Sequence, residues 1–305
     1  MSRTVTVGLD GTAESLAAAD WAAREARLRS IELMLVHARY WQPYVYAPLA
    51  GISTPPDTRE RDRAEEMLAG AEAELRRRHP DVPISTHEVS EEPVAALLAE
   101  AERAEVLVLG SRGLSGITGF VVGSVAHGVA VRATDPVVFV RARDRAADEH
   151  HPDAHGQPSG TTPYRDVVLG LDCESPDAGV LGFAFDAAAR RSRRLRVLHA
   201  WNVPPYHYGY GGVNAPGLKE ELDARVRRAV GEAVGPWRAK FPGVEVVEEV
   251  LTGGAARALV ADSHDASLVV VGRRRRRTPA GGRIGPVTQA VLHHCAAPVA
   301  VVPHD

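Results

Sequence analysis

Three of the glycines in the first half of this chain, together with one serine, are spaced as residues that hold a phosphate. They lie in the stretch Glu105 to Val140, EVLVLGSRGLSGITGFVVGSVAHGVAVRATDPVVFV, as Gly110-x2-Gly113-x9-Gly123-Ser124, directly behind the apolar run Val106 to Leu109. An apolar strand feeding a glycine loop that opens into a helix offers an anion unpaired N–H groups and the positive end of the helix dipole. Gly110 ends the strand where a side chain would block a ribose or phosphate, and Gly113 permits a turn with positive φ. Gly123 and Ser124 begin the helix, so the amides of Ser124 and Val125 and the Ser124 hydroxyl face the phosphate oxygens. Taken alone, the same residues also describe a glycine-rich loop that only caps a helix.

The flanking elements decide whether the loop has a frame. Thr4 to Leu9 alternates and closes on Gly8-Leu9-Asp10-Gly11, a strand ending in a turn. A helix over 14–29 follows, with alanines and Trp21 on its packing face, then a buried strand over 31–38. Residues 39–57 form a Tyr- and Pro-rich excursion, 58–78 a long charged helix, 82–89 a third strand and 93–103 a short helix. With the strand before Gly110 and the one at Val137 to Val140, this is β-α-β-α-β-α-β-α-β, a parallel sheet covered by helices on both faces.

The pattern then repeats. Asp10 and Asp172, His37 and His199, Gly110 and Gly272, and Pro136 and Pro298 all stand 162 residues apart. One offset at four landmarks means two copies of one domain. The expected division is a first domain over 1–142, a flexible polar linker over 143–162 and a second domain over 163–305.

Composition removes several function classes. Lys219 and Lys240 are the only lysines, so no Gly-Lys-Ser/Thr and no P-loop exists. A formal net charge of −3 argues against nucleic acid as a partner. Cys173 and Cys295 are too few for a disulfide framework or a zinc knuckle. No apolar run approaches the ~18–20 residues of a membrane span, and the start of the chain reads directly into a strand, which sets the expectation of a cytoplasmic protein.

G-x2-G-x9-G-S after a fourth strand, with Asp10 at the end of the first, resembles the universal stress protein family. WAAREA after the first strand, LVHA at the second and GSVAHGV…DPVVFVR at the end add to the likeness, which covers nearly the whole chain as two tandem domains. The resemblance implies an α/β fold of the adenine nucleotide alpha hydrolase-like kind: two tandem doubly wound five-stranded parallel sheets of order 3-2-1-4-5. ATP would bind where strands 1 and 4 diverge. It places Gly8 and Asp10 near the ribose and phosphates and Ala38 with its backbone toward adenine. Gly110, Ser111, Arg112, Gly113, Gly123, Ser124 and Val125 would surround the ribose and triphosphate. A carboxylate at Asp10 repels phosphates unless a metal or a ribose hydroxyl intervenes, so a divalent cation such as Mg²⁺ is expected on Asp10. The competing role for Asp10 is that of an acidic residue at a helix start.

The second copy keeps Asp172, Gly272 and Gly285 as its candidate nucleotide residues but departs from the pattern elsewhere. Arg275 stands where the family has Gly, and Pro286 follows Gly285 where Ser or Thr belongs, removing an amide and a hydroxyl. Arg273 to Arg277 is an unbroken run of arginines, either a phosphate clamp or, the favoured reading, a solvated mobile loop. The first site is therefore expected to be competent and the second impaired. His150, His151 and His155 have no fixed geometry for a metal, His293-His294-Cys295 reads as packing or surface, and Gly209 to Gly212 lies outside a strand-to-helix turn. The function expected is an ATP-binding stress-response regulator with at most slow ATPase activity. Its expected partners are a regulatory protein and a second copy, paired through the last strand of each domain. The alternatives are a nucleotide-independent dimerising scaffold and an ATP-using enzyme of related fold; the enzyme lacks its Ser-Gly-Gly-x-Asp-Ser loop here.

Overall fold

The computed structural model describes residues 3–39, 58–111, 123–202, 218–275 and 283–305. The chain divides into two compact units, Met1–Arg143 and Asp144–Asp305. The first contains β1 (Thr4–Gly8), α1 (Ala13–Arg29), β2 (Leu33–Ala38), α2 (Thr58–Arg78), β3 (Ile84–Val89), α3 (Pro93–Ala101), β4 (Ala104–Ser111), α4 (Ser124–Arg132) and β5 (Val137–Arg141). Its strands pair in parallel in the order β3-β2-β1-β4-β5, with Val7 opposite Leu35 on one side and Val108 on the other. Val5, Val7, Leu107 and Val108 are fully buried, as strands covered on both faces must be.

Helix α1 sets the spacing of this unit. Ala18, Ala19, Ala22, Ala23 and Ala26 are fully buried, and such small side chains let the helix lie close on the sheet. Thr12 caps it, its hydroxyl accepting the Ser15 N–H at 3.3 Å. It ends at Ser30 in the left-handed region (φ 54°), whose N–H donates to the Arg27 carbonyl. Two ionic clusters, around Arg29 and around Asp20, tie it to its neighbours. Buried Arg29 donates to Glu25 at 2.7 Å and also pairs with Glu105 at the start of β4. Asp20 accepts from Arg24, from His79 Nε2 at 2.9 Å and from Arg78 at 2.9 Å, which joins α1 to the end of α2.

The second unit repeats the first with β6 (Asp166–Gly170), α5 (Ala178–Arg190), β7 (Leu195–Trp201), α6 (Leu218–Lys240), β8 (Val246–Thr252), α7 (Ala255–Asp262), β9 (Ala266–Arg274), α8 (Pro286–His294) and β10 (Val299–His304). Its strands are parallel in the order β8-β7-β6-β9-β10, the 3-2-1-4-5 arrangement again. Two differences from the first unit bear on the cleft at the strand ends. Helix α5 starts later than its counterpart α1, because Asp177 takes the capping role, accepting the Gly179 and Val180 amides at 2.8 and 3.1 Å. Strand β9 runs through Arg273 and Arg274, which pair with Pro303 and His304 of β10.

Of the stretch expected as a linker (143–162), residues 144–162 fall within the second unit and carry local bonds. A 3-10 turn spans Ala146–Glu149, Glu149 and His150 are buried, and His150 bonds to the Thr162 carbonyl and bridges Tyr164. The Asp153 carboxylate accepts the His155 and Gln157 amides at 2.8 Å each. Side-chain-to-backbone bonds hold this segment where hydrophobic periodicity does not, which is why its polar composition reads as unstructured.

Burial works to raise the Asp20 pKa, but the His79 hydrogen bond and the Arg24 and Arg78 charges outweigh it and hold the carboxyl below its ordinary 3.8. A depressed folded-state value contributes stability above pH 3.8 that is lost as pH falls through the folded pKa. Asp20→Asn is therefore expected to lower unfolding free energy by about 1–3 kcal/mol at pH 7. In urea denaturation followed against pH, the difference from wild type should shrink below pH 3.8.

Candidate functional site

The chain leaves β1 toward β2 and leaves β4 toward β5 on the opposite side, so a cleft opens at the carboxyl ends of these two strands. Gly8, Asp10, Ala38, Gly110, Gly123, Ser124 and Val125 all line it, together with Leu9, Thr12, Glu14, Ser15, Val36 and His37. Between described residues it measures about 220 Å³. Ser111 is buried at the end of β4, and its hydroxyl donates to the Val140 carbonyl of β5 at 3.3 Å. Arg112 and Gly113 lie outside the described residues, as do most of the 39–57 excursion and Gly209 to Gly212.

The three helices that begin around this cleft do not begin alike. Thr12 caps α1 and Glu92 caps α3, accepting the Ala95 amide at 2.9 Å. Helix α4 starts at Gly123 (φ −53°, ψ 152°) with no side-chain cap and no acidic residue in its first turn. Among the described residues, neither the N-cap nor the first turn supplies an anion to its first amides and its dipole.

Gly110 is required for a different reason than the expected one. A Cβ there would stand 2.6 Å from the carbonyl carbon of Glu14 and 2.7 Å from the Ser15 nitrogen, so the backbone of α1, not a ligand, occupies the space. A Cβ on Gly8 would likewise meet the Leu109 and Leu97 side chains at 2.8 and 2.9 Å. Asp10 holds the turn between β1 and α1: its Oδ1 accepts the Thr12 N–H at 3.0 Å and the Thr12 hydroxyl at 2.6 Å. Among the described residues no group of three or more His, Cys, Asp or Glu is placed to hold a metal ion. Any cation on Asp10 would have to take most of its ligands from phosphate and water, which is how Mg²⁺ is usually held.

His37, used in sequence only as a landmark of the repeat, donates from Nδ1 to the Leu9 carbonyl at 2.7 Å. It thereby ties the ends of β1 and β2 beside Ala38. Its counterpart His199 does the same to Leu171 at 2.8 Å, so the shared LVHA and VLHA segments carry a structural signal.

The second unit has its own cleft, about 630 Å³, lined by Asp172, Gly272 and Gly285 as expected and also by His199, Arg273, Arg274, Arg283 and Thr288. Of the described arginines of the run, Arg273 and Arg274 lie in β9 and Arg275 follows it; Arg274 and Arg275 are exposed. Arg273 is buried in β9, where desolvation and then the charge of Arg275 push its guanidinium below its ordinary pKa. Arg274 reaches Asp172 at 3.5 Å across the mouth of the cleft, and Arg275 pairs with Asp305 at 3.1 Å. Arg276 and Arg277 lie outside the described residues.

Cys173 Sγ stands 3.3 Å from His199 Nε2. Since Nδ1 carries the ring proton, the thiol donates to Nε2. Burial, then the Asp172 and Glu174 charges, push this thiol up, away from a thiolate nucleophile. Gly272 has different neighbours from Gly110: a Cβ would meet the His304 ring at 2.9 Å and the Val180 side chain of α5 at 3.4 Å, not helix backbone. Cys295 is fully buried at the end of α8.

The universal stress protein family model matches residues 1–141 and 163–303. Universal stress protein Rv2005c of Mycobacterium tuberculosis is 31% identical over 307 residues, covering 97% of this chain and 96% of its own length. A second protein of that organism, universal stress protein Rv2623, is 30% identical, covering 97% and 95%. Among solved structures, a universal stress protein from Archaeoglobus fulgidus superposes with a TM-score of 0.66 at 16% identity, covering 99% of this chain and 98% of that one; this likeness is one of fold.

The two glycines predict unequal costs. Gly110→Ala forces a methyl into helix backbone and should destabilise by about 1–3 kcal/mol. Gly272→Ala meets side-chain atoms of His304 and Val180 instead of backbone and should cost less, about 1 kcal/mol or below. Parallel chemical denaturation of the two variants checks the difference; equal costs would contradict the assigned packing.

Proposed function

The chain belongs to the universal stress protein family, and from that premise we propose that it is a regulatory protein that binds ATP in the first cleft. The observation that carries this reading is the start of α4. Gly123, Ser124 and Val125 edge the cleft, the N-cap Gly123 offers no side chain to the first amides, and Ala38 lies in the same cleft at the end of β2. Phosphate oxygens at that helix start would take those amides, with the base toward Ala38. Mg²⁺ arriving with the nucleotide would offset the Asp10 charge.

The bonds from His37 Nδ1 to Leu9 and from Thr12 to Asp10 hold the strand ends around the phosphates' position, and the reading proposed is binding with at most slow turnover. The output of binding is then a change of conformation or of partner. A regulatory protein partner, a cytoplasmic location and a homodimer through β5 and β10 complete the proposal; a homodimer would show twice the 32.7 kDa chain mass in light scattering.

Purified protein, denatured and examined by mass spectrometry, should release adenine nucleotide, and Gly123→Glu should abolish this by setting a carboxylate at the phosphate position. The backbone at Gly123 is one that any residue adopts, so the variant should fold. Absence of bound or bindable ATP in wild type contradicts the reading, and steady-state hydrolysis above ~1 s⁻¹ would make the protein an enzyme.

A further inference from the structure

The two clefts differ in how their charges are balanced. Among described residues the first is lined by Asp10 and Glu14 and by no arginine or lysine. The second carries Arg273, Arg274 and Arg283 against Asp172 and Asp177. Asp177 is occupied in capping α5, which leaves Asp172 as the acidic group at the mouth, and Arg274 faces it at 3.5 Å. This guanidinium does not sit on a loose loop: it belongs to β9 and is in register with His304 of β10, while Arg275 is anchored to Asp305 and to the His304 carbonyl.

We propose that the second cleft binds the phosphate chain of a nucleotide without a divalent cation, Arg274 supplying the positive charge opposite Asp172 that a metal ion supplies opposite Asp10. Pro286 removes an amide from the helix start, and the lost backbone donor is replaced by arginine forks, which match phosphate oxygens in pairs. The volume of about 630 Å³ lies within the range of roughly 300–1,000 Å³ usual for small-ligand sites. Leu198, His199 and Ala200 line this cleft as Val36, His37 and Ala38 line the first, so the base has an equivalent wall. The adenine part of this inference rests on the reading of the first cleft; the arginine-held phosphate does not.

Equivalent substitutions should therefore act with opposite sign. Asp10→Asn should weaken Mg²⁺-dependent binding in the first cleft. Asp172→Asn removes a carboxylate that competes for Arg274 and should tighten metal-free binding about two- to five-fold, the worth of a half-exposed ion pair. The test is calorimetric titration of the full chain with ATP and, separately, with inorganic tripolyphosphate, in Mg²⁺ or in excess EDTA.

With Gly123→Glu silencing the first cleft, one equivalent of ATP should still bind in EDTA. Adding Arg274→Ala or Arg274→Gln should weaken it tenfold or more, with folding checked by circular dichroism. Neither ligand binding in EDTA, or binding that ignores both Arg274 variants, overturns the proposal. If Gly123→Glu leaves Mg²⁺-dependent ATP binding at wild-type stoichiometry, it is the reading of the first cleft that fails. The tripolyphosphate titration in EDTA still decides the second.

Discussion

The contact between the first turn of α1 and the end of β4 is the constraint on which the first unit depends. Glu14 and Ser15 lie so close to Gly110 that no side chain fits between them. That closeness requires the buried alanines of α1, the Thr12 cap that starts the helix where it does, and the Asp10 carboxylate that holds the turn before it. It also fixes the floor of the cleft. With α1 seated there, the start of α4 stands at another edge of the cleft with a glycine, and so no capping side chain, at its N-cap.

In the second unit the same contact is not made, and the cleft changes with it. Asp177, not a counterpart of Thr12, begins α5, and the space over Gly272 passes to the side chains of His304 and Val180. The cleft is wider, its helix begins with a proline, and arginines of β9 reach into it. Duplication has thus kept the sheet order and the histidine tie at the strand ends while placing guanidinium groups along the second cleft.

Much of this is legible in the sequence. Buried strands, a constant offset and alanine-rich helix faces carry two parallel α/β domains, the family resemblance implies their 3-2-1-4-5 order, and the glycine spacing carries most of the first cleft. The remainder depends on distances between elements. Gly110 looks like a residue cleared for a ligand, because sequence cannot say that α1 already stands there. Ser111 looks like a loop residue, yet β4 extends through it and turns its hydroxyl to Val140. Arg273 and Arg274 read as loop because five like charges seldom enter a strand, but Asp172 and the end of β10 accept them. The local bonds within 144–162 escape a sequence reading for the reverse reason, since they come from polar side chains that carry no periodicity.

The central claim is that the start of α4 receives the phosphates. Amide resonances observed by two-dimensional NMR as ATP and Mg²⁺ are added test it most directly. The largest shifts are expected at Gly123, Ser124, Val125 and Ala126, with smaller ones at Ala38. Saturable binding that leaves those amides unmoved would contradict it.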